Sequence, residues 1–129
     1  MTAERGGERD EALPRARRIT RSSEIRALFR RGKRSRTAHL DVFDSPSPAA
    51  HSRVALLVPR HKRTVVDRNL LKRRLREVLR RDVLPALRNR GVAVDVLVRA
   101  RREAYETGHA ELRGELITWV ERRWSHASS

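Results

Sequence analysis

Apolar residues fall along this chain in short periodic groups, and the period of each group predicts its conformation. Residues 1 to 14 hold Gly6, Gly7, Pro14 and mixed charges with no hydrophobic period, so they are expected to form a mobile arm. Ile25, Leu28 and Phe29 share one helical face; Ser22 or Ser23 is expected to cap this short helix and Gly32 to stop it. Over Thr37 to Phe43, Leu40 and Val42 alternate with His39 and Asp41, the period of a half-buried strand. Ser45-Pro46-Ser47-Pro48 reads as a loop. The run from Arg53 to Val58, closed by Pro59, predicts a buried and central strand.

From Asp67, the expected N-cap, to about Leu84 the pattern is helical, and Asn89-Arg90-Gly91 marks the turn after it. Val92 to Val98 reads as a further strand. Leu112, Leu116, Val120 and Trp124 recur at steps of four in a last helix from about His109 to Trp124, expected to lie across the sheet, with Gly114 a weak point inside it. The pattern predicts an α+β fold in the order α-β-β-(β)-α-β-α. A chain of 129 residues has room for one modest core, so residues 15–124 are taken as a single domain and 125–129 as a flexible tail.

Charge narrows the choice of partner. Lys plus Arg number 31 against 16 Asp plus Glu, a formal charge of +15, and such a chain repels itself unless a polyanion screens it. A hydrophobic content of 38% separates it from a disordered basic tail. The absence of cysteine removes disulfides, thiolate metal sites and cysteine nucleophiles, and fits a cytoplasmic location. Met1 to Asp10 carries acidic residues and no apolar stretch, unlike a signal peptide, and no apolar run reaches membrane-spanning length. Only 4% of residues are aromatic, too few for the interfacial anchors of a membrane-surface helix, so no membrane partner is expected.

The cations are concentrated. Arg60 to Arg81 holds ten basic and two acidic residues, and Arg15 to Arg36 holds ten more with only Glu24 opposing, which suggests a nucleic-acid footprint. At 100° per residue, Leu71, Leu75, Val78 and Leu79 occupy one arc of the helix, and Asn69, Lys72, Arg73, Arg76 and Arg80 the adjoining arc. One face can pack on a sheet while the other presents cations and an amide to phosphates. A merely solvated charged face is the rival explanation for the helix taken alone.

Val65-Val66-Asp67-Arg68-Asn69-Leu70-Leu71-Lys72-Arg73-Arg74-Leu75-Arg76-Glu77 resembles the signature of the bacterial ribonuclease P protein family. Ser23-Glu24-Ile25-Arg26-Ala27-Leu28-Phe29-Arg30-Arg31-Gly32 is similar to that family's first helix, and Val94-Asp95-Val96-Leu97-Val98-Arg99-Ala100 to its last strand. Three positions depart from the pattern: Leu70 stands for the second motif arginine, Arg63 for a glycine before the helix and Ile25 for a phenylalanine in the first helix. The resemblance implies a two-layer α/β sandwich with one mixed sheet and a left-handed crossover around the basic helix, against the right-handed form found in about 98% of such connections. It also implies that Arg60, Lys62, Arg68, Asn69, Lys72, Arg73, Arg76 and Arg80 face a catalytic RNA. Phe29, flanked by Arg26 and Arg30, would meet the single-stranded 5′ leader of precursor tRNA. The RNA would perform catalysis with magnesium ions, leaving no catalytic or metal-binding residue on the protein.

Other functions find less support. Neither Lys33, Lys62 nor Lys72 follows an acidic residue by two positions, as a common class of metal-dependent nuclease requires. His39, His51, His61, His109 and His126 lack the i, i+4 spacing of a zinc helix. DNA is not expected as a partner, because strands rather than a second helix flank the basic helix. A structural RNA-binding protein, such as a ribosomal protein, shares the charge and mixed fold and is separated only by the motif spacing.

Overall fold

The computed structural model describes residues 13–125; the expected arm, in its residues 1–12, and the expected tail, in 126–129, lie outside the described residues. A short 3₁₀ turn at Arg15–Arg17 leads to α1 (Ser22–Arg31), β1 (Lys33–Arg36), β2 (Leu40–Pro46) and β3 (Arg53–Leu57). A long helix follows as α2 (Val65–Val78), a π-helical turn (Leu79–Val83) and α3 (Leu84–Asn89). Then come β4 (Val94–Ala100), a second 3₁₀ turn (Arg102–Glu106) and α4 (His109–Arg123).

The four strands form one mixed sheet in the order β1-β2-β4-β3, antiparallel except for the parallel β3–β4 pair. The helices between β3 and β4 therefore make a crossover connection. Alternation along the strands sends Leu40, Val42, Val54, Val96 and Val98 to one face, where Leu71, Leu75, Leu79, Leu112 and Leu116 of the long helix and α4 bury them. Each such leucine contributes about 1.5–3 kcal/mol by leaving water. Phe43, Ala55 and Leu97 point to the other face, where Ile19, Leu28 and the half-buried Ile25 and Phe29 cover only part of the sheet.

Several expectations are corrected. β1 fills the bracketed third strand of the expected order, but no pattern places it at Lys33–Arg36, because Lys-Arg-Ser-Arg has no apolar residue; pairing with β2 makes it a strand. β2 begins at Leu40 rather than Thr37, runs through the expected loop to Pro46, and is buried on both faces for its first five residues. β3 is an edge strand, not a central one. Its outer side is protected by the segment before α1, where Arg18 bridges to Val54 and the Ile19 N–H donates to the Val54 carbonyl at 2.8 Å. Leu13, assigned to the arm, is buried in the main core.

The helix ends show the same trading of local signals. Thr64, not Asp67, caps α2, its hydroxyl accepting from the Asp67 N–H at 3.1 Å; Asp67 sits in the first turn, where its charge suits the helix dipole. Ser22 and Ser23 lie inside α1, with Arg21 at the uncapped N-cap position. Gly32 does end α1 but at φ −68°, so its need is space: a Cβ there would meet the Leu28 carbonyl oxygen at 2.6 Å. The long helix passes Leu84 because the π-helical turn before Pro85 absorbs the missing N–H. It stops at Gly91, φ +68°, with Val92 N–H bonded to Leu87 and Gly91 N–H to Arg88, the paired bonds of a glycine stop.

Candidate nucleic-acid interface

Two basic surfaces meet at the turn between β3 and α2. In that turn His61 and Lys62 adopt φ of 50° and 67°, a left-handed conformation that costs free energy for residues with a Cβ. Neighbouring bonds hold it. Tyr105 donates its hydroxyl hydrogen to the Pro59 carbonyl at 2.6 Å, the Arg63 N–H reaches the Arg60 carbonyl at 2.8 Å, and Arg60 Nε donates to the Arg63 carbonyl at 3.1 Å. Burial raises the Tyr105 phenol above its usual pKa, against the pull of nearby arginines, so it stays a hydrogen-bond donor. Arg63, the position where the family pattern has glycine, stacks over Tyr105 and pairs with Glu106.

The first surface is the outer side of α2. Leu71, Leu75, Val78 and Leu79 are buried as expected, which turns Asn69, Lys72, Arg73 and Arg76 away from the core. None of Arg60, Lys62, Arg68, Lys72, Arg73 and Arg76 joins an ion pair among the described residues. Burial, with Arg68 and Arg76 beside it, lowers the Lys72 ammonium below the usual lysine range, a crowding that phosphate would relieve. Arg68 Nε donates to the Val58 carbonyl at 2.7 Å, fixing the helix start to the end of β3. Arg80 differs from the others, since Glu77 already neutralises it at 3.1 Å. Leu70 is exposed with Val65 and Val66, an apolar strip beside the cations.

The second surface is the uncovered part of the sheet beside α1. Phe29 is half-buried and meets Phe43 edge to face at 5.0 Å, while the Arg99 guanidinium lies 5.3 Å from the Phe29 ring and 5.6 Å from that of Phe43. Beneath them Asp41, 2% exposed, accepts from Arg99 at 3.0 Å and Arg101 at 3.2 Å, with Arg34 at 3.5 Å. Burial pushes the Asp41 carboxyl up, but the three arginines outweigh it and hold the group below the ordinary carboxylate range. Asp41, Arg34, Arg99 and Arg101, with Arg36, His61 and Arg102, line a cavity of about 570 Å³, and the Phe29 and Phe43 rings lie beside it across the Arg99 guanidinium rather than in its lining. Arg26 and Arg30 are exposed one helical turn apart on α1.

Phe29 thus packs on the smaller core while its half-exposed ring stays under the Arg99 guanidinium. Phe43, Asp41, Arg34, Arg99 and Arg101 were missed from the sequence, because strand register brings them together: Asp41 pairs with Arg99 and Arg34 with Phe43. α1 is held over the sheet by Arg53, which bonds Asp95 at 2.9 and 2.7 Å and Glu24 at 3.0 Å. No three acidic or histidine side chains converge to hold a metal ion among the described residues, and no helix there is long and apolar enough to cross a membrane.

The chain as a whole is similar to known proteins. The family model described as Ribonuclease P matches residues 13–123. The chain is 35% identical over 120 residues to the ribonuclease P protein component of Desulfovibrio desulfuricans, covering 88% of each. It is 38% identical over 115 residues to that of Micrococcus luteus, covering 81% of this chain and 86% of the relative. In fold it matches the Staphylococcus aureus RNase P protein with a TM-score of 0.71 at 20% identity over 84% of this chain and 96% of that one. The Thermotoga maritima protein matches at 0.69 and 23% identity over 81% and 96%. Matched in sequence and in fold over most of its length, the chain belongs to the ribonuclease P protein family.

Proposed function

We propose that this chain works in the cytoplasm as the protein subunit of a ribonuclease P whose catalyst is RNA, assisting removal of the 5′ leader from precursor tRNA. The observation that carries this is the pair of basic surfaces joined at the 59–63 turn, one a row of cations without ion pairs among the described residues and the other an arginine-lined cavity with the Phe29 and Phe43 rings beside it. The α2 face with Arg60 and Lys62 would neutralise phosphates of the catalytic RNA, releasing counterions. The cleft would take the unpaired leader, stacking bases on Phe29 without regard to sequence while Arg26, Arg30 and Arg34 meet phosphates. In this reading the catalytic RNA and the substrate hold the magnesium ions and perform the chemistry, and the protein contributes binding and charge neutralisation.

The test is reconstitution: the purified protein is mixed with a bacterial ribonuclease P RNA and precursor tRNA at low magnesium. Mature 5′ ends should form faster than with RNA alone, and not at all with protein alone. Cleavage by the protein alone, or no change on adding it, would overturn the proposal.

Phe29→Leu separates the two duties of that residue. It keeps apolar volume against Phe43 but loses the aromatic pair, costing about 1 kcal/mol of stability. A stacked base is worth about 1–3 kcal/mol, so affinity for precursor tRNA should fall several-fold while mature tRNA binds as before. Unchanged precursor binding in a filter assay would confine Phe29 to the core.

A further inference from the structure

A second open space lies across the β1 edge from the cleft. It is a groove of about 780 Å³ between β1 and α4, within the ~300–1,000 Å³ usual for ligand sites. Lys33, Arg36 and Arg122 line it; all three are exposed, and none joins an ion pair among the described residues. The one carboxylate of its lining, Glu115, is already occupied by the Thr37 hydroxyl at 2.6 Å, the His39 N–H at 3.0 Å and the His39 ring. Among the described residues β1 pairs only with β2, so its outer edge offers backbone groups without a strand partner there.

We propose that this groove is a second single-stranded RNA site, which takes up leader nucleotides farther from the tRNA after they leave the cleft and turn around the β1 edge. The proposal rests on the leader lying in the cleft. Continuity favours this occupant: Arg36 lines both the groove and the cleft, and Arg34 stands on the cleft side of the same strand. A strand of phosphates leaving the cleft therefore meets cations at each step around the edge. Gly114 gains a purpose as well. Glycine weakens the middle of a helix, yet here a Cβ would meet nothing within 4 Å, so the residue keeps the groove wall low rather than relieving a clash.

Holoenzyme affinity is measured for mature tRNA and for precursors with leaders of about four and about sixteen nucleotides, the span of common single-strand site sizes. The parent should bind the long leader roughly tenfold more tightly than the short one, and three phosphate contacts should give that gain a salt slope of about two. Arg122→Glu and Gly114→Gln should each remove most of the gain and leave short-leader binding unchanged. Gly114→Gln fills the groove with a better helix former, so misfolding would not imitate the result. A gain that is absent in the parent, or that survives both variants, overturns the proposal. So does equal weakening of all three RNAs by the variants, which would put the catalytic RNA or the tRNA body in the groove. Failure of the parent to prefer the short-leader precursor over mature tRNA would instead overturn the cleft assignment itself.

Discussion

Replacing Arg68, Lys72, Arg73 and Arg76 together with alanine is expected to weaken binding to the catalytic RNA by roughly a hundred- to a thousandfold near physiological salt. Each phosphate contact on a duplex contributes a slope of about 0.9 in log affinity against log salt. Four contacts amount to a slope of about 3.6, which extrapolates to two to three decades at ~0.15 M. The core leucines of α2 are untouched, so the fold should persist, with about 1 kcal/mol lost where Arg68 no longer bonds the Val58 carbonyl. Removing an exposed cation away from this face, as in Arg88→Ala, should change affinity and slope little. Affinity titrations of parent and variant at several salt concentrations check this, and parallel lines would mean that the α2 cations are merely solvated.

Asp41→Ala should be the most destabilising change in the cleft, because it leaves three guanidiniums facing one another without their shared counter-charge. Breaking a fully buried pair costs about 3–5 kcal/mol. The side chains of Arg34, Arg99 and Arg101 keep 54%, 33% and 17% exposure, so solvent screening brings the expected loss to about 1–3 kcal/mol. The arginines hold the folded-state carboxyl below its unfolded value, so its stabilisation is complete above pH ~4 and disappears as pH falls through the lower folded value. Asp41→Asn should remove that component. Urea unfolding at a series of pH values should show the parent losing its advantage over the asparagine variant as the medium is acidified. An advantage that stays constant down to pH ~2 would show that ionised Asp41 adds no stability. Arg99 should also lose its position over Phe29 and Phe43, weakening precursor binding in the same variant.

The α2 interface was legible in the sequence because a 3.6-residue period sorts Leu71, Leu75 and Val78 from Lys72, Arg73 and Arg76 with no knowledge of the fold. β1 was not, since Lys33 to Arg36 carries no period and becomes a strand only through β2. The apolar run of β3 signals burial on both faces but not a neighbour on both edges, and the segment around Arg18 protects the outer edge instead. The helical pattern fades near Leu84, but the helix runs on to Asn89, because a π-helical turn at Leu79–Val83 lets it pass Pro85. Half of the cleft was visible as Phe29 on an amphipathic helix. The rest depends on register between distant strands, which places Asp41 beside Arg99 and Phe43 beside Arg34 and leaves no mark in local pattern.

The claim that this protein hands the leader to an RNA catalyst is tested most directly by comparing precursor and mature tRNA binding to the catalytic RNA with and without the protein. Adding the protein should tighten precursor binding by roughly tenfold or more, the worth of one well-stacked base, and leave mature tRNA binding nearly unchanged. An equal gain for both RNAs would contradict the account, because the protein would then act on the tRNA body or on RNA folding rather than on the leader.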